Sequence, residues 1–121
     1  YQDSLHEEVA YLITYSGARV LIAEDEEQCD KLIELADQIP TVEHIVYCDP
    51  RGMRKYDDPR LMDVEKLYEL GRSIEARDPG AYDAMVADTR GDECAILCTT
   101  SGTTSKPKMA MLNAGDFLDH C

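Results

Sequence analysis

The sequence predicts an α/β layer fold, a mainly parallel sheet with helices on both faces. Two observations carry that expectation. Short apolar, β-branched runs at 18–23, 44–48 and 93–98 alternate with stretches of helical spacing, and such alternation implies crossover connections between parallel strands. The runs are also nearly uncharged, as strands covered on both faces must be.

The first element is a helix. Ser4 and Glu7 form a capping-box pattern, and Leu5, Val9, Leu12, Ile13 and Ser16 share one face. Gly17 is its natural stop, and residues 18–23 follow as a buried strand. Glu24 and Asp25 open the second helix, where carboxylates meet the positive end of the dipole. Cys29, Leu32, Ile33, Ala36 and Ile39 form its apolar stripe, and Pro40 ends it.

Residues 44–48 are the second strand, closed by the turn signal Asp49-Pro50-Arg51-Gly52. Residues 51–62, charged and carrying Gly52 and Pro59, read as a surface loop. Helical spacing returns at Val64, Leu67, Tyr68 and, less regularly, Ile74. Asp78-Pro79 restarts a helix with proline at its first position and Tyr82, Met85 and Val86 inward. Gly91-Asp92 breaks it. Residues 93–98 form the third strand, residues 108–112 a short fourth, and a helix begins at Ala114. There is no internal repeat and no low-complexity tract.

At 121 residues the chain is one domain at most. A formal charge of −13 argues against nucleic acid, whose phosphates the carboxylates would repel, and against a polybasic membrane anchor. No signal peptide or transmembrane segment is visible, which fits a cytoplasmic protein. The five cysteines are odd in number and contain no Cys-x-x-Cys, so buried, reduced thiols are expected. Cys94 and Cys98 fall on one strand face, about 13 Å apart, too far for a direct bond. His120 beside Cys121 lacks further ligand partners. The chain starts at Tyr1 rather than Met, which processing or excision from a longer protein explains.

The chemistry concentrates at 99–110, Thr-Thr-Ser-Gly-Thr-Thr-Ser-Lys-Pro-Lys-Met-Ala. A strand runs into consecutive hydroxyl and glycine positions, Ser101 to Ser105, followed by Lys106 and Lys108 around Pro107. Many donors and two positive charges within a few residues are what a polyphosphate needs. This is not a Walker A loop, since Gly102 lacks a second glycine at the required distance and Lys106 precedes Pro107. Nor is there a Gly-x-Gly-x-x-Gly fingerprint. A run of Ser, Thr and Gly alone reads more often as a flexible linker. Here, however, the strand anchors one end and Pro107 stiffens the other, which lowers the ordering entropy lost on closing around phosphate.

The stretch Thr100-Ser101-Gly102-Thr103-Thr104-Ser105-Lys106-Pro107-Lys108 resembles the Thr-Ser-Gly-Thr-Thr-Gly-x-Pro-Lys signature of the adenylate-forming superfamily and departs from it only at Ser105. Residues 16–22 and 91–97 resemble the same family's large N-terminal domain, and residues 71–79 its long-chain fatty acid branch. The resemblance identifies residues 1–121 as an internal fragment of that AMP-binding domain, with its phosphate loop at 99–108. It implies a two-step reaction in which ATP and a fatty acid give an acyl-adenylate and pyrophosphate, and coenzyme A then takes the acyl group.

Carried over by residue, Thr100, Ser101, Gly102, Thr103, Thr104 and Ser105 supply backbone N–H and hydroxyl donors to the β- and γ-phosphates. Lys108 brings charge to the leaving pyrophosphate, Lys106 occupies a variable position, and Thr104 is the residue assigned to Mg²⁺ held through the ATP phosphates. No catalytic residue falls within the fragment, so the isolated chain is expected to be inactive. Ser105 costs on the order of 1–2 kcal/mol if the loop needs a positive φ there. Met109, Ala114 and Asp116 stand where glycine, histidine and asparagine are common in the family. These departures motivate the alternative of a non-catalytic interaction module or degenerate homologue, and an amino-acid adenylation domain differs only in substrate. An incomplete sheet also predicts self-association of the fragment, and long-chain substrates predict a parent peripheral to a membrane.

Overall fold

In the computed structural model, which describes residues 5–100 and 107–119, the first helix, α1, spans His6–Ser16. Leu5 is its N-cap and no side chain caps it; Ser4 of the expected capping box lies outside the described residues. Its C-terminus closes as the sequence predicts. Gly17 adopts φ 66°, its N–H reaches the Thr14 carbonyl at 3.3 Å and the Ala18 N–H reaches Ile13 at 3.2 Å. That pair of bonds is the Schellman motif, which satisfies carbonyls the helix leaves open.

Strand β1, Val20–Ala23, leads to helix α2, Glu26–Glu34. Asp25 is the N-cap of α2, its carboxylate accepting from the Gln28 N–H at 3.1 Å. The predicted stripe continues past Glu34 as a 3-10 turn, Ala36–Gln38. The change of pitch buries Leu35 as well as Ile39, leaving Ile33 half-buried. Strand β2, His44–Tyr47, pairs in parallel with β1, Leu21 opposite Ile45 and Ala23 opposite Tyr47.

A third strand, β3, occupies Leu61–Asp63 and pairs in parallel with the other edge of β2. This corrects the expectation of a surface loop through residue 62. Three residues are too few to show a period, and the charged text before them hides the strand. Met53 in the same stretch is also buried, within a 3-10 turn at Met53–Lys55.

The sequence motif Asp-Pro-Arg occurs on both sides of this turn and folds the same way twice. Asp49 accepts from the Arg51 N–H at 3.0 Å, and Asp58 from the Arg60 N–H at 2.9 Å. Each arginine then returns its guanidinium to the same carboxylate, an Asx turn locked by charge. Asp58 and Arg60 are only 16% and 19% exposed, whereas Arg51 is 90% exposed. The guanidinium partner holds both Asp49 and Asp58 below the usual carboxylate range.

Ala10 and Ile13 of α1, Cys29 and Leu32 of α2, and Leu35, Ile39 and Val42 pack with Ala23 and Ile45 as one core. Burial, with Asp25 and Asp30 nearby, pushes the Cys29 thiol up to about 11. The first unit of the chain, Tyr1–Ser73, contains this core. Its sheet order is β1-β2-β3, which leaves β1 at an edge with Val20 and Ile22 exposed.

The second unit is Ile74–Cys121, its boundary falling inside helix α3, Val64–Arg77. Helix α4 spans Ala81–Asp88 with Gly80 as N-cap, so Pro79 precedes the helix instead of opening it. Tyr82, Met85 and Val86, expected inward, are 67%, 64% and 54% exposed. Their spacing marks an apolar face but carries no information on what covers it. Strands β4, Cys94–Thr100, and β5, Lys108–Asn113, form an antiparallel pair separate from the parallel sheet. Helix α5, Ala114–Asp119, follows directly.

Of the cysteines expected to be buried, only Cys29 is; Cys48, Cys94 and Cys98 are exposed. Cys48 lies just past the end of β2, and a two-stranded hairpin has no second layer to cover Cys94 and Cys98. His120 and Cys121 lie outside the described residues. No helix among the described residues is long and apolar enough to cross a membrane.

Candidate functional site

The β4–β5 hairpin is built by its sequence. Ile96, Leu97, Thr99 and Thr100 favour the extended backbone, and the antiparallel register runs from Ile96 opposite Leu112, through Cys98 opposite Ala110, to Thr100 opposite Lys108. Near the base, Cys94 pairs with Asn113 while Ile96 pairs with Leu112, so Ala95 is the extra residue of a bulge. Two backbone bonds close the base. The Ala114 N–H donates to the Glu93 carbonyl and the Gly115 N–H to the Gly91 carbonyl, both at 2.9 Å. A Cβ on Gly115 would stand 3.2 Å from that Gly91 oxygen, a tight contact that glycine avoids.

The far end of the hairpin flanks the segment whose sequence resembles the phosphate signature. Thr100 and Lys108 form the last cross-strand pair, which puts their side chains on one face. The Thr100 hydroxyl donates to the Lys108 carbonyl at 3.2 Å. The Lys108 side chain is exposed and makes no ion pair with any described residue. Pro107 is half-buried beside it. Of the predicted ligand set the structure therefore brings Thr100, Pro107 and Lys108 together. Ser101, Gly102, Thr103, Thr104, Ser105 and Lys106 lie outside the described residues.

No sequence pattern announces a groove of about 760 Å³ at the carboxyl ends of β2 and β3, where Tyr47, Arg51, Arg54, Lys55 and Asp63 meet. Its position suits a ligand, but its charges are largely spent within the chain. Arg51 is paired with Asp49 and Lys55 with Glu26. Tyr47 is pushed up, first by burial and then by the Asp63 carboxylate, so it stays a neutral phenol. Beside the groove the Tyr56 hydroxyl donates to Asp30, with a Glu26 carboxylate oxygen 3.2 Å away, and the Asp30 bond raises Tyr56 to about 12. These contacts latch the turn to α2. Arg54 in the groove and Lys108 at the end of the hairpin are exposed cations that make no ion pair with a described residue.

A sequence model described as AMP-binding enzyme matches residues 1–121. The long-chain-fatty-acid–CoA ligase FadD15 of Mycobacterium tuberculosis is 30% identical over 118 residues, 98% of this chain and 18% of the relative. The long-chain-fatty-acid–CoA ligase ACSBG2 of Xenopus laevis is 26% identical over 114 residues, 93% of this chain and 15% of the relative. The human long-chain-fatty-acid–CoA ligase ACSBG1 is 27% identical over 114 residues, with the same two shares. The chain thus spans less than a fifth of the length of these relatives. With the family matched from the first residue to the last, the chain belongs to the AMP-binding enzyme family.

Proposed function

We propose that this chain is part of an ATP-dependent ligase that activates a long-chain fatty acid as its acyl-adenylate and passes the acyl group to coenzyme A. The observation that carries this reading is the exposed Lys108 ammonium, with no ion-pair partner among the described residues, at the neck of the signature loop. The names of the matched relatives supply the substrate class.

The fit to each group follows from the residues. Lys108 suits the β- and γ-phosphates as a point charge, and the antiparallel ladder holds its backbone before any ligand arrives. Among the described residues no three carboxylate, imidazole or thiol groups gather as a metal set, so Mg²⁺ would enter on the nucleotide phosphates, with Thr104 the assigned contact. When bound, ATP supplies the α-phosphorus that the fatty acid carboxylate attacks. The chain's own part is to orient the phosphates and stabilise charge building on the leaving pyrophosphate, which in phosphorus chemistry is the larger share of catalysis.

The test is pyrophosphate exchange into ATP by the full-length polypeptide, across fatty acids of graded length and a panel of amino acids. Exchange with long-chain fatty acids and not with amino acids is expected, and Lys108→Ala should lower it on the order of 10²-fold. No exchange with any fatty acid would overturn the reading.

A further inference from the structure

We infer that Thr100 is a positioning residue, its hydroxyl fixing the peptide of Lys108, and not one of the donors to phosphate. The inference rests on the function proposed above. A threonine hydroxyl carries one proton. Here that proton goes to the Lys108 carbonyl at 3.2 Å, and the lone pairs that remain cannot donate to a phosphate oxygen. The geometry gives the bond a purpose. Thr100 and Lys108 are the last pair of the ladder among the described residues. A backbone held only by its ladder frays at its open end; a side-chain bond across that end moves the fraying point out to the lysine. Because Thr100 and Lys108 share a face of the hairpin, the tie also fixes the side on which the ammonium emerges. The lysine thereby starts from a limited set of directions, which is where preorganised charge gains its effect.

Three substitutions in the full-length protein, alone and combined, separate this role from a ligand's. Thr100→Val keeps the shape and removes the hydroxyl, Thr100→Ser keeps the hydroxyl, and each is combined with Lys108→Ala. Without nucleotide, Thr100→Val should speed amide hydrogen exchange at residues 98–100 and 108–110 about fivefold, the value of one ordinary hydrogen bond, and Thr100→Ser should restore the wild-type rate. In pyrophosphate exchange, Thr100→Val should lower the rate about fivefold in the wild-type background and leave it unchanged in Lys108→Ala, since it acts through that lysine. Multiplying losses in the double variant, or amide exchange unaltered without nucleotide, would overturn the inference. If the wild type shows no pyrophosphate exchange, the proposed function fails, while amide exchange still decides whether the tie exists.

Discussion

The two units of this chain solve the problem of stability differently. In the first, three parallel strands and two helices enclose a core that includes Leu35, Ile39, Ile45 and Val46, each at most 2% exposed. The second contains the hairpin and two short helices, and every buried residue of the described chain falls outside it. Among its large apolar side chains, Met85, Leu97, Met111 and Leu118 are 64%, 41%, 69% and 72% exposed. Its order comes instead from backbone bonds: the ladder, the two bonds at its base and the threonine tie at its neck. The lesson is that the unit proposed to handle phosphate is shaped by hydrogen bonding, while the other unit holds the hydrophobic free energy.

The strongest way to break this contrast is a pair of truncations. Ile45→Ala should cost about 2–5 kcal/mol, enough to unfold the first unit, whereas Leu97→Ala, 41% exposed, should cost less than about 1 kcal/mol. Urea unfolding of both variants checks the pair, and similar losses would show that the hairpin has a core after all. Thiol chemistry sharpens the same contrast. Cys29, raised to about 11, holds on the order of 100-fold less thiolate at neutral pH than an ordinary cysteine. Alkylation followed by mass spectrometry should label Cys48, Cys94 and Cys98 well before Cys29.

A smaller effect is expected at Gly52, which sits at φ 79° with an added Cβ falling on the Glu26 carboxylate. Gly52→Ala should cost about 1–3 kcal/mol in thermal unfolding, and adding Glu26→Ala should recover the steric part but not the backbone part. The smallest effect is the pH dependence of the two Asp-Pro-Arg turns. Asp58 is held below its ordinary value of 3.8 by Arg60, so its contribution is complete above that value and disappears as pH falls through the lower folded one. Arg60→Gln should therefore be less stable than the wild type by on the order of 1 kcal/mol above about pH 5, with the gap closing below about pH 4. Arg51→Gln, its partner turn exposed to water, should leave the melting temperature unchanged.

The same division explains what could be read from the text. Gly17 and Asp25 were legible because caps are local chemistry: a glycine free to adopt positive φ and a carboxylate one turn from an open N–H. Strand β3 was hidden, since Leu61, Met62 and Asp63 become a strand only through pairing with β2. The antiparallel partnership of β4 and β5 was hidden for the same reason; two apolar runs name two strands, not their direction. The outward face of α4 shows the remaining limit, since Tyr82, Met85 and Val86 repeat at helical spacing whether or not anything lies over them. At the site, order along the chain identified the loop and its lysine. The use of the Thr100 proton is a matter of angstroms, and no spacing records it.

The bonds at the two ends of the hairpin have a mechanical consequence. Gly91 and Gly115 meet at the base, Thr100 and Lys108 at the neck, and the five other register pairs run between. A pull applied to the two strands at the base would load the base bonds first and then the ladder pairs one after another, as a zipper opens, with the threonine tie the last to part.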